Sequence, residues 1–366
     1  MTPTVLDHVP DRLLSLPATV LHAHLTGPTL IHLPGRQTQP LVVSVLQHGN
    51  ETSGWEALRR LLNGRYQRDP LPRSLIIYIG NPQAAAVNAR HLGHQPDLNR
   101  CWPGSTLAPT PWHGLMAAIT DHIKQCQPMA SIDIHNNTGR NPHYAAVNRL
   151  EPEHLSLACE FSRSVVFFTE PRGVQSQAFG QFCPAVTLEC GLAQEASGAD
   201  HAMAYVETML HREALSTAFP NPGELELFQT KATLKLDPGA RFCIGSDTAH
   251  SPPTPDVVFS QDLDLHNFEE LPLGFCLAAT KTDHPKPLIA YGPNDEDVSE
   301  RYLERVDGHI RTTRAVTPAM VTLDPFALRH DCLCYLMERI QISELQTGAS
   351  AIQAGMTLPE PEAESS

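Results

Sequence analysis

The sequence predicts an α/β protein with a mixed central β-sheet flanked by helices, followed by a smaller β-rich C-terminal domain. Two observations support this fold class. Between residues 29 and 215, short apolar runs alternate with segments of helical period. After Pro220-Asn-Pro-Gly223 the helical period gives way to short strand-like runs separated by Pro, Gly and Asp.

Each element follows from local composition and period. Strands are predicted where short apolar runs are bounded by turn residues, at 18–25, 29–33, 41–47, 75–80, 129–134, 165–169, 185–189, 224–236, 241–244, 275–280 and 287–291. Helices are predicted where apolar residues recur every three or four positions, at 55–62, 114–127, 154–164, 196–215 and 323–340. Strands that alternate with helices indicate a largely parallel or mixed sheet covered on both faces.

The change of pattern also predicts the domain organisation. We expect a catalytic domain over residues 1–220 and a β-rich domain over 221–358. Residues 359–366 are acidic, contain proline and are expected to form a disordered tail.

Composition excludes several classes of protein. A net charge of −14 without a run of Lys and Arg argues against binding to nucleic acid or to an anionic membrane. No apolar run approaches the roughly 20 residues that span a bilayer, and no secretory leader is recognisable. The 9 cysteines are odd in number and irregularly spaced, which favours reduced thiols. A cytoplasmic protein is therefore expected.

The most informative segment is the predicted strand that ends in His48-Gly-Asn-Glu51. Imidazole and carboxylate are zinc ligands, and a catalytic zinc site has three protein ligands and one open position. A strand that stops and turns directs both side chains to one point, with Gly49 easing the backbone between them.

Two further strands end in comparable residues. The run 129–134 leads through Asp133 to His135, and the run 185–189 ends in Glu189 before Gly191. Because the carboxyl ends of parallel strands meet at one edge of a sheet, these groups are expected to converge with His48 and Glu51. Three such strand ends predict the site of a hydrolase.

The order of these motifs resembles that of the zinc carboxypeptidase superfamily, and within it the succinylglutamate desuccinylase/aspartoacylase branch. The resemblance covers about residues 40–195 and rests on motifs that occur in the family's order, namely His48-Gly-Asn-Glu51, Asn81-Pro82, Asp97-Leu-Asn-Arg100, Asp133-Ile-His135-Asn and Leu188-Glu189-Cys-Gly191. It implies a zinc carboxypeptidase-like fold and an added β-rich C-terminal domain.

The resemblance also implies a role for each residue. His48, Glu51 and His135 would ligate one zinc ion, and Glu189 would be the general base, as metal-assisted amide hydrolysis requires. Asn99 and Arg100 would bind a carboxylate of the substrate, since a guanidinium pairs with a carboxylate through two hydrogen bonds. Arg90 would stabilise the oxyanion. Asp133 would hold a ligating imidazole from behind.

The sequence departs from the family pattern in one respect that concerns the substrate. Aspartoacylase-type enzymes have an arginine shortly before the catalytic glutamate, but residues 175–184 contain none, and Arg172 lies farther back. This argues against N-acetylaspartate or succinylglutamate. The family also places a tyrosine near the pocket, for which Tyr291 and Tyr144 are the candidates.

Together these features predict a zinc-dependent hydrolase that cleaves an amide bond of an N-acyl amino acid or short peptide with a free carboxylate. Two alternatives stay open: a metallocarboxypeptidase that removes C-terminal residues, and a non-catalytic zinc-bearing binding module. A structural zinc would instead have four protein ligands. A small molecule is the expected partner, and a homo-oligomer is compatible with the sequence.

Overall fold

The structure is a computed structural model that describes residues 2–193, 195–221, 223–245 and 254–346. The tail predicted at 359–366 lies outside the described residues. Seventeen strands fall within them, namely β1 (Thr4–Leu6), β2 (Thr29–Leu33), β3 (Gly35–Val45), β4 (Leu71–Ile79), β5 (Ala130–Asn137), β6 (Tyr144–Val147), β7 (Ser164–Phe167), β8 (Ala185–Leu192), β9 (Glu226–Leu236), β10 (Phe242–Ile244), β11 (Val257–Phe259), β12 (Cys276–Thr280), β13 (Leu288–Tyr291), β14 (Leu303–Val306), β15 (His309–Thr312), β16 (Thr317–Ala319) and β17 (Cys334–Ile340).

The helices alternate with the strands in the first half of the chain. They are α1 (Ser53–Asn63), α2 (Pro82–Ala86), α3 (Pro111–Gln125), α4 (Pro152–Cys159), α5 (Gln175–Phe179), α6 (Ala196–His211), α7 (Ser299–Tyr302) and α8 (Pro325–His330). Several begin at a proline, whose fixed φ suits the first helical position.

Twelve strands form one mixed sheet, in the order β1-β2-β4-β3-β5-β8-β6-β7-β9-β17-β16, with β13 also paired to β9. Its centre, β4-β3-β5-β8, is parallel. Five further strands form a separate, smaller sheet in the C-terminal half, in the order β10-β11-β12-β15-β14. The predicted fold class is therefore confirmed: a helix-flanked mixed sheet and a smaller β-rich part.

Alternation along β3 shows how the main sheet is covered on both faces. Val43 and Val45 belong to the core that packs against α1 and α6, whereas Val42 faces the other way, into the core beneath α3. All three side chains are fully buried. A strand with both faces buried is expected to be continuously apolar, as this one is.

The main sheet takes strands from both sides of residue 221. β9 pairs in parallel with β7 on one side and antiparallel with β17 on the other. The domain boundary at 220/221 stays a prediction.

Two predicted elements are wrong. Residues 18–25 were expected to form a strand, but Ala18–Ala23 is a 3₁₀ helix. The buried residues of this segment, Ala18, Leu21 and Leu25, recur every three or four positions, which is a helical period.

The second error concerns residues 323–340, which were expected to form one helix. Only Pro325–His330 is helical, and Cys334–Ile340 is strand β17. β17 completes the hydrogen bonding of β9, which would otherwise be an open sheet edge. Tertiary pairing therefore overrides the local apolar period.

All 9 cysteines lie within the described residues, and no disulfide joins any of them. Among the described residues, no helix is long and apolar enough to cross a membrane.

Candidate active site

Three neighbouring parallel strands bring the predicted site residues together. In the order β3-β5-β8, Ser44 is in register with Asp133, and His135 is in register with Glu189. His48 and Glu51 lie in the loop between β3 and α1. All of them therefore lie at the carboxyl edge of the sheet, where α/β proteins place their ligand crevice.

Gly49 is required in this loop by a close approach. A Cβ at position 49 would lie 2.2 Å from the backbone nitrogen of Ala85, in helix α2. The absence of a side chain at Gly49 thus lets α2 pack against the loop. The left-handed backbone conformation of this turn is adopted by Leu46, whose φ is 54°.

Two imidazoles converge on one carboxylate. His48 Nδ1 lies 2.8 Å from Glu51 Oε1, and His135 Nδ1 lies 2.7 Å from Glu51 Oε2. The three residues are 3%, 6% and 4% exposed for His48, Glu51 and His135 respectively, and their ligand atoms all lie within 4.8 Å of one another.

Each imidazole also contacts a second carboxylate through its other ring nitrogen, Nε2. Asp97 Oδ1 lies 3.1 Å from His48 Nε2, and Asp133 Oδ2 lies 2.9 Å from His135 Nε2. When a carboxylate accepts the proton of Nε2, the lone pair of Nδ1 is free to ligate a metal, and this second contact is typical of metal-binding histidines. The donor set therefore fits a zinc ion bound by His48, Glu51 and His135.

The buried charges shift one another's pKa values. Burial alone would raise the pKa of Glu51, but the two imidazoles hold it well below its ordinary value. Burial alone would lower the pKa of His135, but Asp133 and Glu51 raise it well above its ordinary value. Without a metal, protonated His135 supplies the positive charge that compensates the carboxylates of Asp133 and Glu51.

Asp133 is anchored in turn by a short buried chain. Gln47 Nε2 donates to Asp133 Oδ2 at 2.5 Å, and Trp102 Nε1 donates to Gln47 Oε1 at 2.8 Å. Sequence reasoning missed Gln47 and Trp102, because neither residue type in isolation signals a site.

Glu189 lines the same cleft and has a different environment. Its Oε2 is buried and has no hydrogen-bond partner among the described residues. Burial raises its pKa to about 8, and Glu51 and Asp133 add to the increase, while His135 and Arg90 oppose it. An unpartnered buried carboxylate beside a metal-competent cluster is the arrangement expected of a proton-transferring group.

The 3 predicted polar residues of the Arg90–Arg100 segment also line the cleft. Asn99 is engaged on both sides: its Oδ1 accepts from the backbone N–H of Gln175 at 2.9 Å, and its Nδ2 lies 3.3 Å from His135 Nε2. Arg100 Nη1 donates to the backbone carbonyl of Asn99 at 2.8 Å. Arg90 is paired with Asp97 rather than directed freely into the cleft.

The cleft has an empty volume of about 900 Å³ and receives residues from the C-terminal half that the sequence did not indicate. Tyr144, one of the two predicted tyrosines, also lines the cleft. It lies beside Glu189, with which it is in register on the neighbouring strand. Tyr291 lies in an adjoining cavity. The tyrosine that the C-terminal half contributes to the cleft is Tyr335, on β17.

A second group of potential ligands lies elsewhere. His32, His122 and Cys126 are half-buried, and the Nε2 atoms of the two histidines lie 3.0 Å apart. None of the three lines the cleft that holds Glu189.

One family model matches the part of the chain that carries these motifs. Residues 37–213 match the model of the succinylglutamate desuccinylase/aspartoacylase catalytic domain. No curated protein matches the chain.

Solved structures share the fold at low sequence identity. The succinylglutamate desuccinylase of Chromobacterium violaceum is 17% identical, with 84% of this chain and 86% of that chain covered and a TM-score of 0.54. A succinylglutamate desuccinylase/aspartoacylase of Rhodobacter sphaeroides is 13% identical, with 86% and 89% covered and a TM-score of 0.54. Murine aminoacylase 3 is 16% identical, with 83% and 96% covered and a TM-score of 0.54.

Proposed function

We propose a zinc-dependent amide hydrolase, because residues 37–213 match the catalytic domain of the succinylglutamate desuccinylase/aspartoacylase family, a branch of the zinc carboxypeptidase-like hydrolases. Its substrate is an N-acyl amino acid or a short peptide with a free carboxylate. The observation that carries the proposal is the convergence of His48, Glu51 and His135 beside Glu189, whose Oε2 is buried and has no hydrogen-bond partner among the described residues.

The ligand set is His48 Nδ1, Glu51 and His135 Nδ1. Zinc bound there would supply Lewis acidity, lower the pKa of a bound water and stabilise the ionised form of the neighbouring Glu189. Asp97 and Asp133 hold the two imidazoles in the orientation that ligation requires.

Glu189 is the general base of the proposed reaction. Its carboxylate takes the proton of the attacking water, and the same group then delivers that proton to the nitrogen of the leaving amine. Burial of the carboxylate raises its pKa toward the working pH, and a group with such a pKa can both accept and donate a proton.

The two arginines of the cleft have separate roles. Arg100 binds the free carboxylate of the substrate through its guanidinium. Arg90, held by Asp97, places a cation near the site at which negative charge develops on the carbonyl oxygen. Asn99 positions Arg100 through its backbone carbonyl, which accepts a hydrogen bond from Arg100 Nη1.

Metal content and a substrate panel test the proposal. The purified protein should contain one zinc per chain, lose activity to a chelator and regain it on addition of zinc. The variant His135→Ala should lose the metal, whereas His24→Ala, at an exposed position, should retain it. A protein without metal and indifferent to chelators would contradict the proposal.

The panel separates the deacylase from the metallocarboxypeptidase. N-acyl amino acids are compared with dipeptides that have a free C-terminus. Release of a carboxylic acid from the first set supports the deacylase, and loss of a terminal residue from the second supports the peptidase. A zinc-loaded protein that cleaves neither set would be a binding module.

A further inference from the structure

Beyond Glu189, the cleft extends over one face of the main sheet. Across neighbouring strands, Thr187 on β8 is in register with Ala146 on β6, and Ala146 with Val166 on β7. Val166 is in register with Phe228 on β9. Residues in register point to the same face of a sheet, so these side chains form a continuous surface.

This surface is apolar. Ala146, Val166 and Ala319 are buried and line the cleft, together with the half-buried Phe168 and Met320. We call these five residues the apolar floor. Phe228 and Met337 pack in the same cluster and support it.

The cleft offers few cations to a substrate. Among the residues that the structure describes, Arg90 and Arg100 are the cationic side chains that line it. Arg90 donates to Asp97 at 2.9 Å and lies 3.6 Å from Glu51, so its charge is already balanced. No carboxylate within the described ranges forms an ion pair with Arg100, which is therefore available to one anionic group.

The arginine that lies closest in sequence before the arginine-free segment 175–184 is also paired. Arg172, which precedes the arginine-free segment 175–184, donates to Glu170 at 2.8 Å and is exposed. A second carboxylate that lies on the apolar floor would therefore have no cation beside it, since the nearby lysines Lys231 and Lys235 line the adjoining cavity instead. An ionised carboxylate buried in this way loses its hydration without compensation.

We infer that the substrate has one carboxylate, which binds Arg100, and one apolar group, which lies on the apolar floor. This inference rests on the proposed amide hydrolase and names its substrate class. The apolar group is either the side chain of the amino acid or the acyl chain, because both flank the bond that is cleaved. Dicarboxylic substrates such as N-acetylaspartate should therefore bind less tightly than substrates with an apolar group.

Binding to a variant that does not turn over tests the inference separately from catalysis. Zinc-loaded, full-length Glu189→Gln protein is titrated by calorimetry with N-acetylphenylalanine, N-hexanoylglycine, N-acetylglycine and N-acetylaspartate. We expect the first or the second to bind at least about 10-fold more tightly than the last two, as burial of several apolar carbons predicts.

The first two ligands distinguish the two sources of the apolar group. Tighter binding of N-acetylphenylalanine identifies the side chain, and tighter binding of N-hexanoylglycine identifies the acyl chain. An affinity for N-acetylaspartate that equals or exceeds both, or the absence of binding by all four, overturns the inference.

Two substitutions at one half-buried position of the floor strengthen the test. Phe168→Ala should weaken binding of the preferred apolar ligand about 10-fold and leave N-acetylglycine unchanged. Phe168→Arg should shift the ratio of affinities toward N-acetylaspartate by at least about 10-fold. Phe326→Ala, at a position that is 72% exposed, is the control.

Turnover by the wild-type protein then separates the two proposals. Preferential binding of an apolar ligand without hydrolysis of any ligand would refute the hydrolase and leave the binding preference established. Hydrolysis with a preference for N-acetylaspartate would support the hydrolase and refute the apolar substrate. A Phe168→Arg protein that fails to fold leaves the decision to Phe168→Ala and the ligand panel.

Discussion

Arg90 donates two hydrogen bonds to one oxygen of Asp97, from Nε at 3.1 Å and from Nη2 at 2.9 Å. The other oxygen of the same carboxylate, Oδ1, lies 3.1 Å from His48 Nε2. Burial alone would raise the pKa of Asp97, but His48, Arg90 and Arg100 hold it well below its ordinary value. Asp97 therefore links the proposed oxyanion arginine to a proposed metal ligand.

We expect Asp97→Asn to weaken zinc binding by about 10- to 100-fold, because an amide holds the His48 ring less firmly than a carboxylate. Competition with a chromogenic chelator measures the dissociation constant. Asp121→Asn, at an exposed position of α3, is the matched control. Unchanged zinc affinity in Asp97→Asn would show that Asp97 does not support the metal site.

Glu189→Gln should lower kcat by about 10²- to 10⁴-fold, because the variant keeps the shape of the side chain but cannot accept a proton. Its zinc content should equal that of the wild type. Glu195→Gln, in the exposed segment that follows the same strand, serves as the control and should retain full activity. Full hydrolysis by Glu189→Gln would rule out the proposed base.

The stability of the metal-free protein should depend on pH through Glu189. Its pKa is about 8 in the folded protein and has an ordinary value of 4.5, so the folded state holds a proton that the unfolded state has released. The stabilising contribution of this proton is complete below pH 4.5 and is lost as the pH rises to about 8.

Glu189→Gln lacks this titration. Its melting temperature relative to the metal-free wild type should therefore increase between these two pH values, by up to roughly 6 °C, and then stay constant. Differential scanning calorimetry at a series of pH values measures the difference. A difference that does not change with pH would contradict the raised pKa.

Arg100→Ala should raise KM by about 10- to 100-fold, the loss expected when a charged hydrogen bond to a carboxylate is removed. Arg100→Lys should recover part of the affinity, since an ammonium retains the charge but not the paired geometry. Arg140→Ala removes a cation that is 67% exposed, and KM should not change in that variant. A wild-type KM in Arg100→Ala would show that another residue binds the carboxylate of the substrate.

The convergence of His48, Glu51, His135 and Glu189 could be predicted from the sequence, because His48, His135 and Glu189 each lie at the end of an apolar run and Glu51 lies in the turn that follows one of them. Where a strand ends is a local property, and parallel neighbours bring their ends to one edge of the sheet. The central strands β4, β3, β5 and β8 could be predicted because each contains a short apolar run bounded by turn residues. The contact of His48 with Asp97 was not predicted, because Asp97 lies in the loop that follows α2, and no local pattern determines the path of that loop.

The C-terminal contribution to the cleft was missed because of a specific error. The segment 323–340 was assigned to a helix, so Tyr335 could not be placed beside the main sheet. In the structure, Tyr335 is in register with Thr233 of β9, a contact between residues far apart in sequence. Pairing of this kind depends on the partner strand and has no signature within the segment itself.

The chain order of the cleft also has a consequence for biosynthesis. The proposed ligands and the base lie at or before residue 189, whereas Ala319, Met320 and Tyr335 arrive with the last strands. While a ribosome is still translating the C-terminal third, the nascent chain already carries the proposed catalytic residues. The apolar side chains Val166 of β7 and Phe228 of β9 are not yet covered by Ala319 and Met337. Substrate selectivity is therefore acquired last, and the unfinished polypeptide exposes an apolar surface that chaperones would cover.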